Sequence, residues 1–417
     1  MSAARPRFDH SSSRRRGSVV WSDEFIWRNC YAYAPVLTGG DGKVEKSDFI
    51  PVSGPWLDIR EEALALEALR SGRISGSGIF VERFERAWAD VCGRRHGVAV
   101  SSGTAALETA FFALDLPRGS EVVMPDFCMI ACLAAVLRNG LTPAPVDADP
   151  RTWCMDVSQM ESVITSRTSA ILAVHTYGHP VDMSAVETLA RRHGLKIVED
   201  AAEAHGASWG GRICGGFGDI STFSFYGNKI VTCGEGGMAL CDDDGLAGMC
   251  RRYRDLGFSA TDRFRHEIIG QSFRLTNLQA AIGCAQTAKL SESLARKQNM
   301  ARMYDTLLSS IPDLQLPARP AGGVNAYWVY GVVLGESHRV SVGEVRRRLL
   351  ELGVDTRPFF VGMHEQPVAA RMGLKFRGAF PVSERLSRRG FYLPSGVAIS
   401  EEQIHRVAEA LKSALRV

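Results

Sequence analysis

Four hundred and seventeen residues, 45% of them apolar and 23% charged, make a globular chain long enough for a large lobe and a smaller one. A net charge of +3, scattered along the chain, lacks the basic footprint of a nucleic-acid binder and points to work on small molecules. The ten cysteines form no CxxC pair and no zinc-type Cys/His spacing, so reduced thiols packed as small hydrophobes are expected, and no metal site. Cys128 and Cys132, four apart, fall on one apolar helix face. No apolar run reaches membrane-span length and the first residues lack a signal-peptide core, so a cytoplasmic protein is expected.

Residues 1–50 open with MSAARPRFDHSSSRRRG and show no sustained periodicity, which reads as a flexible N-terminal extension. From residue 51 apolar runs of strand length alternate with helical segments. VAV (98–100), EVVMP (121–125), SAILAVHTYG (169–178), LKIVED (195–200), ISTFSFYG (220–227) and GGMALC (236–241) read as buried strands. TAALETAFFAL, MIACLAAVLRNG and MSAVETLARRHG between them read as amphipathic helices. That alternation predicts an α/β fold, a mostly parallel sheet covered by helices on both faces, with ligands at the carboxyl ends of its strands. Residues 51–290 form the large domain. A long helix is expected from Leu275 to about Leu308. A smaller C-terminal α/β domain over 291–417 follows, with YWVYGVVL as a strand and VGEVRRRLLELG and EEQIHRVAEALKSALRV as helices.

Three short stretches carry the chemistry. In SSGTAALETAFFAL, Gly103 permits a tight turn after a strand, and the amides of Gly103, Thr104 and Ala105 open a helix whose N-terminus attracts phosphate. The same residues also make an ordinary helix cap. In LKIVEDAAEAHGA, Asp200 ends a buried strand, placed either to cap the next helix or to hold a positively charged ring nitrogen; Glu203 and His205 follow on its loop. In FSFYGNKIVTCGEGGM, Ser224 offers a further phosphate contact. Lys229 stands at the end of the same run, before a glycine-rich loop. A phosphate seat, an acid for a pyridinium nitrogen and a lysine on neighbouring strand ends are the three contacts that pyridoxal phosphate requires.

SSGTAAL, VEDAAEAHGA, FSFYGNKIVTCGEGGM, RLTNLQAAIG and DTRPFF with the following MHEQP resemble, in order and style, the DegT/StrS family of pyridoxal phosphate-dependent sugar aminotransferases. The similarity runs from about residue 56 to the C-terminus. GNK, EDAAEAHG and TRPFF with MH look most like the perosamine synthase branch, which aminates GDP-4-keto-6-deoxymannose at C4. The resemblance implies fold-type I, the aspartate aminotransferase fold, in a homodimer whose active sites are completed by the partner chain. It makes Lys229 the lysine that carries the cofactor and Asp200 the partner of its ring nitrogen. Gly103, Thr104 and Ser224 become its phosphate contacts, and Glu203 the neighbour of its phenolic oxygen.

Two positions depart from the family pattern. PDFCM puts Met129 where an aromatic ring usually covers the cofactor, and IGQSFRLTN puts Ser272 where an asparagine usually reaches the partner subunit's phosphate site. For the sugar nucleotide, the resemblance points to His364 and to the stretch from Arg357 to Phe360, Phe359 included. Arg357 suits either a diphosphate or a structural salt bridge. Tyr177 and His179 in HTYGHP, with His205, line the same rim or shape a loop. The expected reaction moves an amino group from an amino acid, L-glutamate by resemblance, to a keto sugar. Amination at C3 or of another keto sugar or cyclitol stays open beside it, as does a non-catalytic regulator on the same fold. A dehydratase of this family would replace the lysine by histidine, and Lys229 argues against that.

Overall fold

The computed structural model describes residues 49–259 and 261–416. Its large lobe contains β1 (His96–Val100), β2 (Glu121–Pro125), β3 (Thr142–Val146), β4 (Thr168–Val174), β5 (Lys196–Asp200), the two-residue pair β6 (Ser208–Trp209) and β7 (Arg212–Ile213), β8 (Ile220–Ser224) and β9 (Gly237–Cys241). Seven of these make one sheet in the order β1-β9-β8-β5-β4-β2-β3. The run from β8 to β3 is parallel, and β9 lies antiparallel between β8 and β1. Every residue of β2 and of β9 is buried, as a sheet covered on both faces demands.

The six strands expected from the apolar runs are all present, and a seventh, β3, is added to them. Its sequence is TPAPV, and two prolines argue against an interior strand. The topology explains why they are tolerated. β3 is an edge strand, and Thr142 N–H donates to Ser120 O on the β2 side, so the imino positions of Pro143 and Pro145, of opposite parity, face the open edge.

The helix expected from Leu275 to Leu308 is two helices, Asn277–Ala288 and Leu290–Leu308. Thr276 starts the first with a capping box to Gln279, and Lys289 separates them. The Lys289 side chain is fully buried: its ammonium reaches Trp56 O at 2.9 Å, Glu61 at 2.8 Å and Asp58 at 3.3 Å. A charge committed to three acceptors, two just before helix Ile59–Arg70 and Glu61 in its first turn, fixes the bend, which periodicity alone cannot see.

The C-terminal lobe adds β10 (Leu314–Gln315), β11 (Gly323–Val324), β12 (Tyr330–Leu334), β13 (Arg357–Pro358) and β14 (Gly390–Leu393). Four of them form an antiparallel sheet in the order β10-β12-β14-β13, whereas β11 reaches across to β6. Helices Leu290–Leu308, Val342–Glu351 and Glu401–Leu415 cover this sheet around Tyr304, Tyr330, Leu349, Phe391 and Leu411. Of the extension expected over 1–50, residues 1–48 lie outside the described residues, and Ile50 corrects its boundary. Ile50 is buried, bridges Val354 in parallel and exchanges hydrogen bonds with Gly353 and Asp355. The start of the described chain is thus anchored to the C-terminal lobe.

Candidate active site

Because β9 alone runs against its neighbours on its side of the sheet, the carboxyl ends of β2, β4, β5 and β8 and the start of β9 share one rim. Asp200 pairs in register with Val174 and with Thr222, and Ser224 pairs with Gly237. Val100, the last residue of β1, faces Gly237 from the other side. The residues singled out at 102–104, 200–203 and 224–229 therefore meet.

The turn after β1 is held by contacts only glycine allows. A Cβ on Gly237 would lie 2.2 Å from Ser102 O, and one on Gly103 would lie 2.7 Å from Ser224 Cβ. Ser102 caps helix Gly103–Leu114 through Ala105 N–H at 3.1 Å. The amides of Gly103 and Thr104 at N1 and N2 have no intrahelical partner, so a helix end with free donors sits beside Ser224.

Lys229 lies in a loop pinned at both ends: Phe225 N–H donates to Gly236 O at 2.8 Å and Lys229 N–H to Tyr226 O at 2.9 Å. Its side chain is only 9% exposed, with the amine 3.7 Å from Glu203 Oε1 and 3.6 Å from the centroid of Trp328. Burial pushes the lysine below its ordinary range and pushes Glu203 up to about 7. Burial thereby drives both groups toward their neutral forms. Glu203 is held by Tyr177 N–H at 2.7 Å. Asp200 is 5% exposed; Oδ1 accepts from Ala202 N–H at 3.0 Å and Oδ2 from the Cys132 thiol at 3.4 Å. Burial raises its pKa and those donors oppose the rise.

The residues read as sugar contacts divide. Tyr177 lies beside the lysine cluster in a left-handed conformation, φ 58°, and its hydroxyl accepts Phe360 N–H at 2.9 Å. Phe359 is buried behind it, with ring centroids 4.7 Å apart. His364 donates Nδ1–H to buried Asp126 at 2.8 Å, stacks on Phe380 and points Nε2 toward Glu384 at 3.7 Å. The Arg357 guanidinium is engaged by Asp355 and by Thr356 O, which is the salt-bridge alternative. Met129 is 51% exposed at the start of helix Ile130–Arg138. Ser272 is exposed on a loop and accepts from Arg274 at 2.8 Å.

His205 corrects its expected place on the rim. It is 1% exposed among Trp88, Phe223 and Phe225, and its Nδ1 accepts Val231 N–H at 3.1 Å, bracing the lysine loop from inside. Burial holds its pKa down at about 3, so it stays neutral. His179 is buried as well, with Nδ1 against Pro180 O at 2.9 Å. His175, Glu199 and Cys214 cluster as metal ligands do, but the His175 ring and the Glu199 carboxylate are already hydrogen-bonded within the protein. His175 Nδ1 accepts Val181 N–H at 3.0 Å, so Nε2 carries the proton and donates to Glu199 at 2.8 Å, and the carboxylate also takes Gly215 and Phe217 N–H.

Two contacts escaped the sequence. Trp328, within the stretch YWVYGVVL read as a strand but two residues before β12, lies over the lysine amine and donates Nε1–H to Asn228 O at 2.9 Å. Cys132 reaches Asp200 across 68 residues. Nothing local marks either one.

The model of the DegT/DnrJ/EryC1/StrS aminotransferase family matches residues 57–412. The chain is 39% identical over 367 residues to GDP-perosamine synthase of Caulobacter vibrioides, covering 88% of this chain and 98% of that one. It is 35% identical over 368 residues to the dTDP-3-amino-3,4,6-trideoxy-alpha-D-glucose transaminase of Streptomyces venezuelae, covering 86% and 95%. The crystal structure of S. venezuelae DesV superposes with a TM-score of 0.81 at 35% identity over 88% of this chain and all of that one. With its lysine, aspartate and glycine turn meeting on one rim, the chain belongs to the DegT/DnrJ/EryC1/StrS aminotransferase family.

Proposed function

We propose that the protein is a pyridoxal phosphate-dependent sugar aminotransferase that carries the amino group of an amino acid, L-glutamate, to C4 of GDP-4-keto-6-deoxymannose. The observation that carries this reading is the convergence of Lys229, Asp200 and the Gly103–Gly237 cradle from three separate stretches of sequence. The residues present fit the cofactor. A Cβ at Gly103 or Gly237 would close the cradle at the free end of helix Gly103–Leu114, and Asp200 is a buried carboxylate at the end of a central strand. When bound, pyridoxal phosphate supplies the electron sink that lets a proton leave the amino donor's α-carbon.

The chain does the rest. Gly103, Thr104 and Ser224 seat the phosphate, and Asp200 holds the ring nitrogen in its protonated form. Lys229 carries the cofactor covalently. With the cofactor bound, Lys229 would be the base that moves a proton, a role toward which burial shifts it by disfavouring the ammonium. Glu203, pushed up to about 7, takes and returns a proton at the amine and at the cofactor's phenolic oxygen. Met129 would cover the ring face, and in a homodimer Ser272 would reach the phosphate of the partner subunit's site. Tyr177, Phe359, Arg357 and His364 shape the sugar-nucleotide side, and the enzyme works in the cytoplasm. A second reading, amination at C3, has in its favour the 35% identity to the dTDP-3-amino-sugar transaminase.

The test is to load the protein with pyridoxal phosphate, add L-glutamate, and follow the cofactor's absorbance and the mass of the sugar product. A spectrum changed by glutamate and restored by GDP-4-keto-6-deoxymannose, with a 4-amino sugar formed, is the expected result. Turnover only with 3-keto nucleotide sugars would transfer the conclusion to the second reading. Lys229→Ala should retain no cofactor covalently after borohydride reduction and should lose turnover.

A further inference from the structure

Two buried thiols lie under the candidate ring-nitrogen site. Cys128 lies three residues past the end of β2 and donates to Pro125 O at 3.4 Å; Cys132, one turn on in helix Ile130–Arg138, lies against Cys128 and donates to Asp200 Oδ2 at 3.4 Å. Both are at most 1% exposed. Asp200 sits at the end of β5, two strands away from β2, so this contact crosses from the helix layer onto the sheet. Oδ1 of Asp200 is fixed by its own loop through Ala202 N–H, whereas Oδ2, the oxygen that Cys132 touches, is steadied from another element.

We propose that Cys132 is a positioning residue for the reaction: its thiol fixes the rotation of the Asp200 carboxylate, so that the carboxylate meets the cofactor's ring nitrogen in line. This rests on the functional reading above. A thiol suits the task because it is a weak donor. It orients the carboxylate while leaving most of the charge, and further lone pairs on the same oxygen, for the pyridinium. A fully buried carboxylate without such a second contact can turn about its Cα–Cβ and Cβ–Cγ bonds, and a misdirected buried charge costs affinity for the cation it should meet.

The test compares two variants of equal shape. Cys132→Thr keeps a donor at this position and Cys132→Val removes it with nearly the same volume and the same β-branching, so packing effects largely cancel between them. Cofactor-free full-length protein is titrated with pyridoxal phosphate by quenching of tryptophan fluorescence, and the pH dependence of the bound cofactor's absorbance is recorded. The valine variant is expected to bind on the order of threefold to tenfold more weakly than the threonine variant and to shift the spectral pH midpoint, while threonine stays near the parent. Equal affinities and midpoints for the two would overturn the proposal, even if both variants lost thermal stability together. Should the β-branched pair not fold, Cys132→Ser against Cys132→Ala makes the same comparison. Cys250→Ala, a fully buried thiol of the same core, controls for a cavity alone and should leave affinity unchanged. A parent protein that does not bind pyridoxal phosphate at all would sink the functional reading itself, a result distinct from equal binding by the pair.

Discussion

Glu203 and Lys229 form a buried pair whose charge depends on pH, and the direction can be worked out. Burial raises the Glu203 carboxyl from 4.5 to about 7, so between those values the folded chain binds a proton that the unfolded chain has released. That contribution to stability is complete below about 4.5 and is lost as pH rises through about 7. Glu203→Gln does not titrate. Relative to the parent it should therefore gain stability from pH 5 to pH 7.5, by on the order of 1–3 kcal/mol, in denaturant midpoints of the cofactor-free protein. A constant difference across that range would show that Glu203 is ionised throughout. The neutral amine that this arrangement favours is what a proton-transferring lysine needs, and Trp328 over it keeps water away from one side.

At the scale of elements, the turn from β1 into helix Gly103–Leu114 is locked against β9 by backbone proximity. Gly237→Ala would drive a methyl group to 2.2 Å from Ser102 O and 2.8 Å from Gly103 N, both main-chain atoms that cannot swing aside. The expected cost is about 1–3 kcal/mol of stability, with a larger proportional loss of cofactor affinity because the atoms displaced are those of the proposed phosphate seat. Thermal unfolding and cofactor titration of the same variant check both halves. Unchanged affinity would detach this turn from the phosphate. The elements missed or merged in the sequence are instructive here. β3 was hidden by prolines that only an edge position permits, and the helix break at Lys289 was hidden because its cause is a buried charge held by residues more than two hundred positions earlier.

Across the whole molecule, another buried lysine braces the C-terminal lobe where it meets the Lys229 loop. Lys297, 1% exposed, donates to Trp328 O at 3.1 Å and to Ser395 O. It thus anchors the segment that places the Trp328 ring over Lys229. Burial lowers its pKa from 10.5 to about 7, so the unfolded chain binds the extra proton between those values and stability rises with pH over that window. Lys297→Met should flatten the rise, removing about 1 kcal/mol per pH unit between pH 7.5 and 9.5 in chemical denaturation. An identical pH profile in the variant would mean that the ammonium stays charged in the fold.

What the sequence determined by itself was local. The apolar runs placed six of the seven central strands within a few residues, and the family motifs, each contiguous, marked Gly103, Asp200, Ser224 and Lys229. Strand periodicity and glycine turns are properties of neighbouring residues, so they can be read without the fold. Tertiary structure decided what depends on distant partners. His205 left the rim for the core because three aromatic rings and the Val231 amide receive it there. Arg357 was given to Asp355, Trp328 came to lie over Lys229 from 99 residues away, and Cys132 met Asp200. A side chain's partner is fixed by which strands and lobes are brought together, and that is a property of the folded chain as a whole.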